Sequence, residues 1–389
     1  MPATSASLIR IEPVDHGVGS TLAFGATATG VDLEDLDEAS FRIIEDALYR
    51  FKVLVIKNQK HLTPVKQFKF VQRLDPDAPK EHSAGPRKET QERYRPNQRT
   101  LLEEYRTPDM PDCPEVRMIG NGKVETPHYG LEGEVFLKQA SHQHQHKNPM
   151  QQEELDKGLS RWLRWHMDAS CFRRDPPCAA PPKVTTLHCI KNPVGPPITV
   201  KWDDGTGTEM VVPAGATGFT DSATTFKMMS PADQELARNS KVEYWPHPYV
   251  QNGMCKIGNA GLGLLSEGLE IPLEDLPPYD EKEIKIYPLA WHNPVTGEEV
   301  LSVHSVCARR LHLKHSPTSE VRILDDLKEV RDLLFKWQRP AVEPNSRSFL
   351  GRPRGLLSIA PANRSLLVSD IWAASYEEGD MVAFCNRLV

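Results

Sequence analysis

No C-x-x-C pair occurs in this sequence, and its seven cysteines (Cys113, Cys171, Cys178, Cys189, Cys255, Cys307 and Cys385) are odd in number and scattered. That excludes a disulfide framework and a structural zinc ribbon, and fits reduced thiols in a cytoplasmic protein. No run approaches 18 apolar residues, so no membrane span is expected. The opening "MPATSASLIRIEPVDHG" lacks a basic segment followed by an apolar one, so no secretory leader is expected. The closing "FCNRLV" matches no lipid-anchor or retention signal. No basic stripe exists either: 47 Lys and Arg are interspersed with 53 Asp and Glu, for a net charge of −6. A nucleic-acid partner is therefore not expected. The G-x-S-x-G elbow of α/β serine hydrolases is missing, and no internal repeat is visible.

What is present fits an enzyme-sized globular chain: 389 residues, 39% hydrophobic and 26% charged. "ASFRIIEDALYRF" has apolar residues at helical spacing, and "KVLVIKN" reads as a buried strand. Residues 76–112 are charged and broken, a solvated loop or insertion. "SHQHQHKNP" (141–149) holds His142, His144 and His146; a metal tract is conceivable, but its composition favours a polar surface loop. From 184 onward short β-branched runs alternate with turns. "LSVHS" places His304 on a strand. "SEVRILDDLKEVRDLLFKWQ" has a helical period, and "DMVAFCN" reads as a strand. Residues 340–371 show no clean period and form an atypical insertion. Many short strands with a few outer helices predict an α+β chain with a double-stranded β-helix (jelly-roll) core and flanking helices.

One stretch carries chemistry. In "RWHMDAS" (164–170), His166 and Asp168 are two residues apart. On an extended strand that spacing points both side chains to one face. One imidazole and one carboxylate are two thirds of the facial triad that holds non-haem iron(II). Alone, H-x-D is a weak signal.

Its surroundings strengthen it. "RWHMDASCFRRDPPCAAPPKVTTLHCIKNPVGPPITVKWDD", "PLAWHNPVTGEEVLSVHSV" and "EEGDMVAFCNRLV" occur in the order found in the taurine/2-oxoglutarate dioxygenase superfamily, which this sequence resembles. Within it, "EVRMIGNGKV", "PPKVTTL", "WDDGTGTEMVVPAGATGF", "VEYWPHPYV", "GLGLLSEGLE" and "LKEVRDLLFKWQRP" resemble the fungal xanthine dioxygenases over roughly residues 115–389. The resemblance implies a single dioxygenase-like domain over 1–389, with iron(II) as cofactor and 2-oxoglutarate as co-substrate. It implies hydroxylation of xanthine to uric acid, coupled to decarboxylation of 2-oxoglutarate to succinate. His166 and Asp168 would be iron ligands. Thr199 would bond a 2-oxoglutarate carboxylate, and Lys138 and Asn386 would face substrate. Trp165 and Trp202 would be packing residues.

The resemblance also places a second iron-binding histidine five residues after Asn386, at 391, and an arginine for the distal carboxylate later still. Both fall past Val389, so the domain is expected to be incomplete at this end, with an unfinished strand and an iron site short of one ligand. The last histidine in the chain is His315, and His304 in "LSVHS" is a poor substitute. The alternatives left open are another small-metabolite dioxygenase of the superfamily and a non-catalytic pseudoenzyme. The expected partner is a small molecule; a homo-oligomer is left open.

Overall fold

The computed structural model describes residues 9–16, 22–76, 109–137, 142–162, 164–167, 183–191, 195–214, 216–343, 365–366, 372–374 and 378–385. Most of the 76–112 insertion and of the 340–371 segment lies outside these residues, as do Asp168, Lys138 and Asn386.

The largest sheet has five strands in the order Arg10–Pro13, Ala26–Thr29, Val53–Ile56, Met381–Cys385, Val184–His188. Both of its faces are covered, and the alternation of side chains shows how. Leu54, Ile56, Met381 and Ala383 meet Phe41, Ile44 and Leu48 of the helix Glu38–Phe51 and Phe70 of the helix Pro64–Leu74. Val53, Val55, Val382 and Phe384 point the other way, onto Phe24, Cys189 and Phe219. Burial on both faces is why "VLVI" and "MVAF" read as unbroken apolar runs rather than alternating ones. Each of the Val, Leu, Ile, Phe and Met side chains contributes about 1.5–3 kcal/mol by leaving water. Met381–Cys385 pairs antiparallel with Val53–Ile56 on one side and Val184–His188 on the other. Residues 381–385 are thus a central strand of this sheet, hydrogen-bonded on both flanks.

The helix Glu38–Phe51 starts where Asp37 accepts a hydrogen bond from the Ser40 amide at 2.7 Å. It ends at Lys52, whose φ of 65° closes the left-handed cap. Lys52 is 3% exposed and sits between Glu298 (2.9 Å) and Asp221 (3.5 Å). Burial works against the Glu298 charge, but hydrogen bonds from Lys227 and Lys52 outweigh it and hold its carboxyl at about 2.

A second sheet runs Ile286–Pro288, Lys241–Tyr244, Ala308–Leu313, Arg322–Leu324. The helix Leu327–Gln338 packs Val330, Leu334 and Trp337 into this sheet's core with Val242, Leu311 and Leu324. The helix begins later than its sequence period suggests. Arg322–Leu324 pairs with Leu311–Leu313 as a strand, and Asp326 then caps the helix through the Glu329 amide at 2.9 Å. Smaller ladders complete an α+β arrangement of mixed sheets with flanking helices.

Two local expectations are corrected. The 141–149 tract contains a 3-10 turn, His142–Gln145, and His144 is exposed. Gln145 and His146, however, are only 4% and 1% exposed. Their backbone pairs with Ile257, which pulls that end of a polar tract inside. His304 is not on a strand: Glu299–Leu301 ends before it, and His304 instead leads into the 3-10 turn Ser305–Cys307.

Candidate active site

His166 ends a two-residue strand, Trp165–His166, that pairs in parallel with Ser365–Leu366. What anchors this short strand is its tryptophan. Trp165 is fully buried, donates its indole N–H to the Ala260 carbonyl at 3.1 Å, and takes the Gly261 carbonyl on its amide at 2.8 Å. Its ring packs against Trp162 at 5.5 Å, and Trp162 meets Trp202 at 6.2 Å. The expected packing role of Trp165 and Trp202 is what this cluster shows. Gly218 lies against the same rings: a Cβ there would come within 3.1 Å of Trp162 and 3.2 Å of Trp165.

With Trp165 facing the cluster, period-two alternation turns His166 to the opposite side. It is 7% exposed, and its Nδ1 lies 2.7 Å from the Arg164 carbonyl oxygen. A carbonyl only accepts, so Nδ1 is the protonated nitrogen, and in the neutral ring the lone pair belongs to Nε2. This is the arrangement a metal-binding imidazole needs: one nitrogen tied to the protein, the other facing the ion. His166 therefore fits the iron role on its own geometry.

The wall beside it is aromatic. The His304 ring lies 6.5 Å from the His166 ring, and the Tyr249 ring lies 6.5 Å from His304. His304 is fully buried; its amide donates to the Tyr244 hydroxyl at 3.2 Å and its Nδ1 lies 3.4 Å from Cys307 Sγ. Two imidazoles on one ion at ordinary coordination angles sit about 5 Å apart, centre to centre. His304 is thus placed as a wall residue. Among the described residues no three His, Cys, Asp or Glu side chains gather as a metal set.

A family model described as "Taurine catabolism dioxygenase TauD, TfdA family" matches residues 117–343, more than half of the chain. The chain belongs to this family. The relatives it matches include the alpha-ketoglutarate-dependent xanthine dioxygenase xanA of Emericella nidulans, 36% identical over 97% of this chain and 90% of that one. The corresponding xan-1 of Neurospora crassa is 37% identical over 99% of this chain and 82% of that one. The xan1 protein of Schizosaccharomyces pombe is 35% identical over 99% and 84%. Among solved structures, a putative alpha-ketoglutarate dependent 2,4-D dioxygenase from Burkholderia xenovorans is similar with a TM-score of 0.45 and 13% identity, covering 98% of this chain and 88% of that one.

Of the residues expected to form a TauD/TfdA site, His166 and Thr199 fall within the described residues. Thr199 is half-buried on the strand Ile198–Lys201, between Val211 and Leu159 of the flanking strands. Its neighbours Ile198 and Val200 turn toward the tryptophan cluster, so Thr199 turns away from it. Among the described residues no hydrogen bond or ring contact joins Thr199 to His166. Asp168, Lys138 and Asn386 lie outside the described residues. Sequence reasoning missed Arg164, whose carbonyl holds His166, and Tyr249, whose ring lies beside His304. For Arg164 a signal existed: it stands two residues before His166, the spacing that first drew attention to Asp168.

Proposed function

We propose that this protein is an iron(II)- and 2-oxoglutarate-dependent dioxygenase that oxidises xanthine to uric acid while 2-oxoglutarate is decarboxylated to succinate. The observation that carries this reading is the 35–37% identity to fungal xanthine dioxygenases over 97–99% of the chain. The geometry of His166, a buried imidazole with Nδ1 tied to a carbonyl, supports the metal role. His166 and Asp168 would hold the iron, Thr199 a carboxylate of 2-oxoglutarate, and Lys138 and Asn386 the substrate. The core of this domain is a jelly roll, which the mixed short-stranded sheets support. The reaction takes place in the cytoplasm. Among the described residues no helix is long and apolar enough to cross a membrane, and the five described cysteines carry thiols rather than disulfides.

Bound iron would let dioxygen oxidise both the 2-oxo acid and the purine, one oxygen atom going to succinate and the other to the purine carbon. The chain's own part is to position and to exclude. The Arg164 carbonyl fixes the tautomer and plane of His166. The tryptophan cluster immobilises the strand behind it. The His304 and Tyr249 rings, inclined at 62° to each other, make an aromatic corner beside it. The test is turnover: with iron(II), 2-oxoglutarate and oxygen, succinate and uric acid should form together and only when xanthine is added. Succinate formed in response to a different small metabolite, with none for xanthine, would replace the substrate in this reading and keep the reaction.

A further inference from the structure

Among the described residues Arg164 and Arg331 are the arginines buried as whole residues, and they differ in how their guanidinium groups are met. Arg331, 8% exposed, donates to the Leu265 carbonyl, Ser266 Oγ, Glu270 and Asn252. Arg161 grips Asp203 through Nε at 2.7 Å and Nη2 at 2.6 Å. Arg164 is also 8% exposed, yet among the described residues neither its Nε nor its Nη1 has a hydrogen-bond partner. Its guanidinium carbon lies 5.7 Å from the centre of the Tyr249 ring. Leaving two buried N–H groups of a cation without acceptors is costly, and a fold retains such a group where a ligand completes it.

The position narrows the ligand. Arg164 and His166 are two residues apart on extended backbone, so they share a side of the chain. Arg164 contacts Tyr249, Tyr249 neighbours His304, and His304 neighbours His166, a continuous path from the guanidinium to the proposed metal ligand. The elements carrying Tyr249 and His304 add more polar groups of the same kind. The Gln251 amide, on Pro248–Gln251, is fully buried, and the Ser305 hydroxyl, on Ser305–Cys307, is 6% exposed; neither has a hydrogen-bond partner among the described residues. A guanidinium pairs with a carboxylate or a carbonyl oxygen alike, but the aromatic rings beside this one favour a flat, carbonyl-bearing heterocycle over a flexible aliphatic dicarboxylate, which gains nothing from a ring wall.

We propose that Arg164 is the substrate-recognition residue of this site, donating to a ring carbonyl oxygen of the purine while Tyr249 lines the pocket beside it. This rests on the reading of the substrate as xanthine, whose two carbonyl groups are the acceptors required. The Arg164→Met and Arg164→Lys variants test it, with xanthine and 2-oxoglutarate binding measured without oxygen on the iron(II)-loaded protein. Equilibrium dialysis reads xanthine, and the visible metal-to-ligand band reads 2-oxoglutarate. Loss of charge-assisted hydrogen bonds should weaken xanthine binding by roughly ten- to a hundredfold in Arg164→Met, and less in Arg164→Lys. The 2-oxoglutarate titration should stay unchanged. The melting temperature of Arg164→Met should stay level or rise, because among the described residues Nε and Nη1 make no hydrogen bond to lose.

A marked fall in melting temperature, or failure to fold, would make Arg164 a structural residue and overturn the assignment. So would unchanged xanthine affinity, or weakened 2-oxoglutarate binding in its place. If the unaltered protein binds 2-oxoglutarate but neither binds nor oxidises xanthine, the substrate reading itself fails, an outcome distinct from the failure of Arg164.

Discussion

His146 should make the stability of this protein depend on pH in a defined window. It is 1% exposed and its Nδ1 has no hydrogen-bond partner among the described residues. Burial, aided by the Arg161 charge, pulls its imidazole down from 6.5 to about 4. In the unfolded chain the ring takes up a proton below 6.5; in the folded chain it does so only near 4. Between those values protons favour the unfolded state, so the contribution is complete above pH 6.5 and is lost as pH falls toward 4. At about 1.4 kcal/mol per pH unit, the loss amounts to about 2 kcal/mol at pH 5 and about 3 kcal/mol at pH 4. The perturbation is His146→Gln, which keeps a polar side chain and removes the titration. Urea unfolding of both proteins, followed by tryptophan fluorescence at pH 7.5, 6, 5 and 4, gives the difference in stability directly. The carboxylate Glu298 does not confuse the result: with its carboxyl at about 2 its own contribution is lost below 4.5, and it cancels between the two proteins. His146→Gln should lose less stability than the parent as pH falls, by the amounts above. A difference that stays constant from pH 7.5 to 4 would refute the reasoning.

Other outcomes follow from the packing. Lys52→Met removes the cation between Asp221 and Glu298 and leaves a buried carboxylate uncompensated; a loss of about 3–5 kcal/mol is expected in urea unfolding at pH 7. Gly218→Ala presses a methyl group against two rigid indoles; it should cost about 1–3 kcal/mol and, by displacing Trp165, also weaken iron(II) binding at the neighbouring His166.

Much of the framework was legible because local pattern and burial agree. The Glu38–Phe51 helix and the Val53–Ile56 strand follow from the apolar period and from a run too short for a helix. His166 stands out in the sequence because the H-x-D spacing is local. What escaped depends on contacts between distant segments. His304 alternates like a strand residue in "LSVHS", but the ladder stops at Leu301 and the chain turns at Ser305. His146 sits in a polar tract that composition assigns to the surface, and only its pairing with Ile257 buries it. The placement of Met381–Cys385 between Val53–Ile56 and Val184–His188 joins strands more than three hundred residues apart in one case, which no local period encodes. Tyr249 and Arg164 meet across some eighty residues of chain; sequence shows each alone as an ordinary aromatic and an ordinary surface cation.

The central claim is that His166 holds the iron of a xanthine-oxidising centre, and anaerobic titration with iron(II) and 2-oxoglutarate tests it most directly. The unaltered protein should develop a visible metal-to-ligand band, and on admission of air and xanthine should release succinate and uric acid in equal amounts. His166→Ala should fold, as judged by its melting curve, and develop no band. A band of equal strength in His166→Ala, or its absence from the unaltered folded protein, would contradict the account.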